Sequence, residues 1–187
     1  APWAKLYRKS FLEEKGIEFV NVPFGEDIIF TAEVIMASPK LSMVDYADYY
    51  WENNPTSTSH SEFRYFPNDN LNIVKNIFDQ MIYSKKPEDE IAAYLIFKYM
   101  VWYLLQSGRN VGIGRMKVEY ENAMEYLDKQ YSCWEKLCYG FILRNKAERC
   151  LVRTVLWIVI LLRRLKLSRL FFEVYSCLPI DRFWPSL

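Results

Sequence analysis

The pattern of apolar and polar positions divides the chain into two parts, and up to about residue 66 the apolar runs are short and of mixed period. Mixed periods predict helices together with strands. Gly16 follows the first predicted helix as a C-terminal cap, and Pro39 ends the second. The predicted elements are helices over residues 8–15 and 28–37 and strands over residues 17–20, 41–45 and 46–52. The apolar face predicted for the second helix is formed by Ile28, Ala32, Ile35 and Met36.

From residue 67 onward the apolar positions recur with the helical period, over longer stretches. Helices are predicted over residues 71–83, 88–106, 116–131, 133–143 and 149–178, the fourth either continuing the third or standing alone. Two stripes are well defined: Leu71, Val74, Ile77, Phe78 and Met81, and Met116, Tyr120, Met124, Leu127 and Tyr131. The predicted fold class is α+β and mostly helical, with an α/β domain over residues 1–66 and a helical bundle over residues 67–187.

Charge is unevenly distributed, although the net charge of the chain is only +1. Residues 1–143 carry 15 basic and 20 acidic side chains, whereas residues 144–170 carry eight basic side chains and one acidic. The small net charge gives no indication of nucleic-acid binding. The basic C-terminal part indicates an anionic partner.

The cysteines and the N-terminal residues indicate whether a zinc site is expected and in which compartment the protein lies. Cys133, Cys138, Cys150 and Cys177 form no C-x-x-C pair, and the chain has one histidine, so a zinc site is not expected. Free thiols suit a reducing compartment, and no signal-peptide pattern opens the chain, so we expect a cytoplasmic protein. Because the chain begins with Ala1 rather than methionine, we expect it to be part of a longer protein.

A carboxylate pair, Glu26 and Asp27, follows Gly25 at the start of the second predicted helix. Acidic residues in a first helical turn are favoured by the helix dipole, so the pair has a structural interpretation. A carboxylate at such a junction is also suited to act as a general base. The residues around the pair decide which interpretation is favoured.

Three ordered motifs surround and include this pair: WAKLYRKSFL from Trp3 to Leu12, GIEF from Gly16 to Phe19, and GED from Gly25 to Asp27. In this order they resemble the second half of glycosyltransferase family 2 enzymes, which have the GT-A fold. The run YYWENNPTSTS, from Tyr49 to Ser59, is similar to the strand and serine-rich loop that follow in that family. The resemblance covers residues 2–59, about a third of the chain.

The resemblance implies an inverting sugar transfer in which Asp27 takes the proton of the acceptor hydroxyl, with Glu26 beside it. It places Trp3 on the acceptor side, although a tryptophan there is equally suited to packing a strand on the first helix. The other acceptor-binding candidates are Lys5, Tyr50, Trp51, Ser57 and Ser59. Glu52 stands where family members often have an arginine, which argues against a diphosphate contact there.

The family's other half carries the nucleotide-binding sheet and an Asp-x-Asp motif that holds a divalent metal on the donor diphosphate. No Asp-x-Asp occurs in this chain at a strand end. We therefore expect no cofactor here, and Mg²⁺ or Mn²⁺ in the missing half, where the nucleotide sugar would bind. The implied acceptor is a saccharide or a lipid-linked sugar, and residues 1–187 alone are expected to be inactive.

The last predicted helix contains an apolar run over residues 155–162, about 12 Å long and too short to span a bilayer. It is either a central bundle helix buried on most faces or an interfacial helix lying on an anionic membrane. The second alternative would make the protein peripheral on the inner face of the membrane, and its contact candidates are Arg153, Trp157, Arg163, Arg164 and Lys166. A non-catalytic interaction or membrane-docking module remains the alternative function, and pairing of exposed helix faces into a homo-oligomer remains open.

Overall fold

The computed structural model describes residues 2, 4–22, 25–38, 40–45, 49–50, 52, 70–81, 90–109 and 111–178. The chain folds into two compact units, Ala1–Glu62 with Asn72–Met81 and Phe63–Leu71 with Ile82–Leu187. The described residues are mostly helical, with eight α-helices and no strand among them. The domain boundary predicted between residues 66 and 67 lies outside the described residues.

The first six of the eight helices, α1 to α6, fall close to the ranges that apolar spacing predicts. Residues 131–133 separate α5 from α6, so the stretch after residue 133 forms a helix of its own. The helices are α1 (Lys9–Lys15), α2 (Glu26–Ala37), α3 (Asn70–Met81), α4 (Glu90–Ser107), α5 (Ile113–Gln130), α6 (Trp134–Arg144), α7 (Cys150–Arg164) and α8 (Ser168–Tyr175).

The predicted cap after the first helix is confirmed. Gly16 adopts a left-handed conformation with φ 62°. Its N–H donates to the Glu13 carbonyl at 3.2 Å, and the Ile17 N–H donates to the Leu12 carbonyl at 3.0 Å. This pair of bonds is a Schellman turn, and the accompanying apolar contact is present because Ile17 packs in one cluster with Leu12.

The first unit has a small core centred on α2. Phe30 is buried between two aromatic rings, stacked on Phe19 at 4.1 Å and meeting Tyr7 edge-on at 5.3 Å between ring centroids. The face predicted for α2 is confirmed at Ala32, which is buried, and wrong at Ile35, which is exposed. Ile28 is half-buried, and the Met36 side chain lies outside the described residues. The buried positions of α2 are Ile29, Phe30, Ala32 and Val34.

The strands predicted in the first unit are wrong wherever the structure describes them. The N–H of Ile17 is used by the cap of α1, so it is not available to a sheet at residues 17–20. Residues 41–45 form no strand, and Leu41 and Met43 are exposed, so they lack the buried face that stabilises a strand. Tyr49, Tyr50 and Glu52 are not in a strand either, and the remainder of the predicted strand over 46–52 lies outside the described residues. The α/β character predicted for residues 1–66 is therefore not observed in the described part of the chain.

The second unit is organised around α4. Its side chains are buried on nearly all sides, which is typical of a helix enclosed by others. Within this unit α4 contacts α5, α6 and α8, while α7 packs against α6 and α8, and α5 packs against α8.

The stripe predicted on α5 is confirmed, since Met116, Tyr120, Met124, Leu127 and Tyr131 are all buried. Of the stripe predicted on α3, Leu71, Val74 and Phe78 are buried, and the other two side chains lie outside the described residues.

The single helix predicted over residues 149–178 is wrong, because it is broken between α7 and α8. Lys166 adopts a left-handed conformation with φ 60°. Its N–H donates to the Arg163 carbonyl at 2.8 Å, and the Leu167 N–H donates to the Leu162 carbonyl at 2.7 Å. This is the same Schellman turn that ends α1, formed here without the glycine or proline that would mark it in the sequence.

Candidate functional site

The predicted carboxylate pair lies at the N-terminus of α2. Gly25 precedes the helix in a left-handed conformation with φ 87°, and its carbonyl accepts the Ile29 N–H at 3.0 Å. Glu26 and Asp27 therefore occupy the first turn, where their negative charge meets the positive end of the helix dipole. The prediction that the carboxylate pair lies at the start of this helix is confirmed, since α2 begins at Glu26.

Asp27 is partly buried and fixed through one of its two carboxylate oxygens. Its Oδ1 accepts the backbone N–H of Ile28 at 2.8 Å. The second oxygen accepts no hydrogen bond from the residues that the structure describes. A partly buried carboxylate with one oxygen fixed by a backbone N–H has the form required of a proton acceptor.

The acceptor-binding candidates are not assembled into a site by the described residues. Lys5 is exposed, and Tyr50 is 88% exposed. Trp3, Trp51, Ser57 and Ser59 lie outside the described residues, so their predicted roles stay predictions. Among the side chains that are described, no group of three His, Cys, Asp or Glu lies close enough together to hold a metal ion.

Arg163, one of the membrane-contact candidates, is engaged inside the second unit. Its guanidinium contacts Asp128 at 2.6 Å and Glu135 at 2.9 Å. It also lies over the ring of Trp134, 5.5 Å from the centroid. Arg163 therefore connects α7 to α5 and α6, and its charge is already balanced by two carboxylates.

The other basic candidates differ in what they contact. Arg153 donates from Nε to the Ile142 carbonyl at 2.9 Å and from its terminal nitrogen to the Leu143 carbonyl at 3.1 Å, so it caps the end of α6. Arg164 lies over the ring of Tyr139 at 5.0 Å and Lys166 is exposed. Neither Arg164 nor Lys166 has a carboxylate partner in the described part of the chain.

One face of α7 is buried and the opposite face is apolar yet exposed. The inward side chains are Val152, Val155, Leu156, Val159 and Ile160. On the outward side Trp157, Ile158 and Leu161 are 37%, 37% and 40% exposed. The alternative of a central helix buried on most faces is therefore wrong for α7, since that position belongs to α4.

α8 carries a second exposed apolar face that the sequence analysis missed. A groove of about 380 Å³ is lined by Leu162, Leu167, Leu170, Phe171, Val174, Tyr175 and Leu178. Tyr175 turns its hydroxyl inward to the Leu105 carbonyl at 2.7 Å, and burial raises its pKa to about 12. The groove is therefore lined by carbon atoms. The available signal was the helical spacing of leucine and valine at positions 167, 170, 174 and 178.

Comparison of the chain with protein-family models, with curated proteins and with solved structures found no match. Across the described residues, no helix combines the length and apolar character needed to cross a membrane. The two features with functional potential in the described residues are the carboxylate pair on α2 and the exposed apolar faces of α7 and α8.

Proposed function

We propose that residues 1–66 form the acceptor side of an inverting family 2 glycosyltransferase. The carboxylate pair that begins α2 supports this proposal, because Asp27 is fixed by Oδ1 and its second oxygen accepts no hydrogen bond from the described residues. The order of the three motifs around it adds the resemblance to that family. The acceptor is a saccharide or a lipid-linked sugar, and the donor is a nucleotide sugar.

In this mechanism Asp27 receives the proton of the acceptor hydroxyl while the hydroxyl oxygen attacks the anomeric carbon. The new bond joins that oxygen to the anomeric carbon, and the bond to the nucleoside diphosphate breaks with inversion. A positioned general base contributes about 100- to 10,000-fold to such a step. Glu26 adds negative charge to the same turn without touching the transferred proton.

The donor and its metal are assigned to a part of the enzyme outside these residues. A divalent cation, Mg²⁺ or Mn²⁺, would stabilise the departing diphosphate there. In this proposal no metal is assigned to residues 1–187.

The test compares Asp27→Asn with Glu26→Gln in a protein that joins these residues to a donor-binding half. Release of nucleoside diphosphate should fall at least about 100-fold in the first variant and little in the second. Both variants remove one charge from the same helical turn, so each costs about 0.3–1 kcal/mol of stability. Equal thermal midpoints with unequal activity support catalysis by Asp27.

Two outcomes contradict the proposal. Unchanged transfer by Asp27→Asn would leave the carboxylate pair with only its helix-starting role. Hydrolysis or transfer of a nucleotide sugar by purified residues 1–187 would also overturn it, because the donor site is assigned elsewhere.

A second function, a non-catalytic docking module, is supported by a different observation. Trp157, Ile158 and Leu161 of α7 and the apolar groove along α8 are exposed in the second unit. In that function the carboxylate pair only begins α2, so Asp27→Asn distinguishes the two functions.

A further inference from the structure

The second unit exposes a series of large apolar side chains along its last two helices. We call this series the α7–α8 surface. Its residues are each 37–58% exposed. They are Leu151, Trp157, Ile158, Leu161, Leu165, Leu167, Leu170, Val174 and Leu178.

The charges in the same part of the chain are mostly of one sign. From Arg149 to Leu178 the sequence has six basic residues and one carboxylate, Glu173. Arg163 is balanced by Asp128 and Glu135, and Arg169 contacts Glu121 at 3.5 Å and Glu173 at 3.3 Å. Arg164 and Lys166, at the turn between the helices, have no such partner among the described residues.

We propose that the α7–α8 surface docks on an anionic lipid bilayer. Its apolar side chains enter the boundary between headgroups and acyl chains, while Arg164 and Lys166 contact the headgroups. Leucine and tryptophan on one side of a helix with cations at its end are the features of a helix that lies in a membrane interface. Each cation near an anionic leaflet adds to the affinity.

The groove on α8 adds a concave apolar site to this surface. Leu162 of α7 and the α8 side chains that line it offer carbon atoms alone. Lys166 directly precedes Leu167, which is one of the lining residues. In the proposed complex an acyl chain fills the groove and Lys166, next to it in sequence, contacts the anionic headgroup.

A second copy of this chain is the less complementary occupant. A twofold interface places the same patch of each copy against the other. Such an interface brings Arg164 and Lys166 of both copies into one patch, where the single carboxylate, Glu173, is already paired with Arg169. Like charges across an interface oppose association, whereas an anionic bilayer attracts them.

The experiment measures sedimentation of the full chain with lipid vesicles, and it does not depend on sugar transfer. Phosphatidylcholine vesicles containing phosphatidylserine should bind the chain at low salt, and high salt should weaken the binding by screening. Vesicles of phosphatidylcholine alone should bind it much more weakly.

Matched variants locate the apolar contact. Leu161→Gln with Leu170→Gln should lower the vesicle affinity by at least about tenfold, because two apolar side chains leave the interface. Ile113→Gln with Val118→Gln is the control, since these α5 residues are 54% and 49% exposed and lie outside the α7–α8 surface. All four positions are exposed, so the fold should persist, which circular dichroism verifies.

A second pair of variants locates the charge. Arg164→Gln with Lys166→Asn should lower the affinity about 25-fold, at about fivefold for each cation. Asparagine is chosen at position 166 because it tolerates the left-handed conformation found there. Lys117→Gln, which removes an exposed charge from α5, should change the affinity little.

Quenching by brominated lipid tests insertion directly. The full chain should lose fluorescence on binding, and Trp157→Phe should remove most of that loss. Three results would overturn the proposal: no binding at low salt, equal binding by the surface variants and their controls, or a stable dimer that Leu161→Gln with Leu170→Gln dissociates.

Discussion

Gly108 and Gly114 flank the same break in the chain but differ in the space around their backbone. A Cβ on Gly108 would overlap the terminal methyl of Met116 and the backbone carbonyl oxygen of Leu104. A Cβ on Gly114 would meet no atom within 4 Å. The first glycine is therefore required by close packing where α4 ends, and the second lies in the first turn of α5 without such a constraint.

The same substitution should have opposite effects at these two positions. Gly108→Ala should lower the free energy of unfolding by about 1–3 kcal/mol, because backbone cannot move aside as a side chain can. Gly114→Ala should raise it by about 0.5–1 kcal/mol, because alanine restricts the unfolded chain and fits a helix. Urea unfolding of both variants measures the difference, and a change of the same sign at both positions contradicts this account.

At the scale of the helices, the sequence predicts an element well when the signal is local. The α5 stripe repeats over four turns, and Gly16 marks the end of α1, so both are predicted correctly. The break at Lys166 has no such mark, because lysine rarely adopts a left-handed conformation. The strands fail for another reason: alternation at Ile17–Val20 is local, whereas a strand requires a partner elsewhere in the chain.

The turn between α7 and α8 should be stabilised by the residue that its conformation favours. Lys166→Gly should raise the free energy of unfolding by up to about 1 kcal/mol, because glycine relieves the Cβ strain at φ 60°. Arg164→Gly, two residues earlier in the last turn of α7, should lower it by about 1 kcal/mol. Thermal unfolding of the two variants is the measurement, and loss of stability in Lys166→Gly contradicts the assigned conformation.

Arg163 should matter more to stability than an ion pair on the surface. Its side chain is 23% exposed between Asp128 and Glu135, so Arg163→Gln leaves two carboxylates without their cation. Because both carboxylates are partly solvated, we expect a loss of about 1–3 kcal/mol. Lys129→Gln is the control, since Lys129 and Glu125 are 72% and 62% exposed, and should cost under about 0.5 kcal/mol. If urea unfolding shows equal losses in free energy of unfolding for Arg163→Gln and Lys129→Gln, Arg163 does not stabilise the packing of α7.

At the scale of the whole molecule, Glu148 joins two distant parts of the second unit. It lies between α6 and α7, and its Oε2 accepts from the Tyr94 hydroxyl at 2.8 Å and from Lys98 Nζ at 2.5 Å, both on α4. The sequence could not predict this contact, because the partners are 54 and 50 residues away and no periodic pattern connects them. The residues of the proposed sites differ in the same way. The position of Glu26 and Asp27 could be predicted, because it depends on a local helix start. The ion pairs of Arg163 with Asp128 and Glu135 could not be predicted, because these partners are distant in sequence.

The protonation of Glu148 makes this long-range contact dependent on pH. Burial alone would raise the pKa of its carboxyl group, but the hydrogen bonds from Lys98 and Tyr94 and the charge of Lys98 outweigh burial. The pKa in the folded protein is therefore below the ordinary value of 4.5. A group with a lowered pKa stabilises the fold above its unfolded pKa, and this contribution is lost as the pH falls through the folded pKa.

Glu148→Gln should therefore cost stability at neutral pH and cost progressively less in acid. At pH 7 the loss in free energy of unfolding should be about 1–3 kcal/mol, because a hydrogen bond to a charged acceptor is replaced by one to an amide. Below about pH 4.5 the difference from the unmodified chain should shrink, since the carboxyl group itself becomes neutral. Glu125→Gln, in an exposed pair, is the control and should show little difference at either pH. If the loss in free energy of unfolding caused by Glu148→Gln is the same at neutral and acid pH, the charge of Glu148 does not stabilise the fold. That result would contradict the ionised state assigned to its carboxyl group.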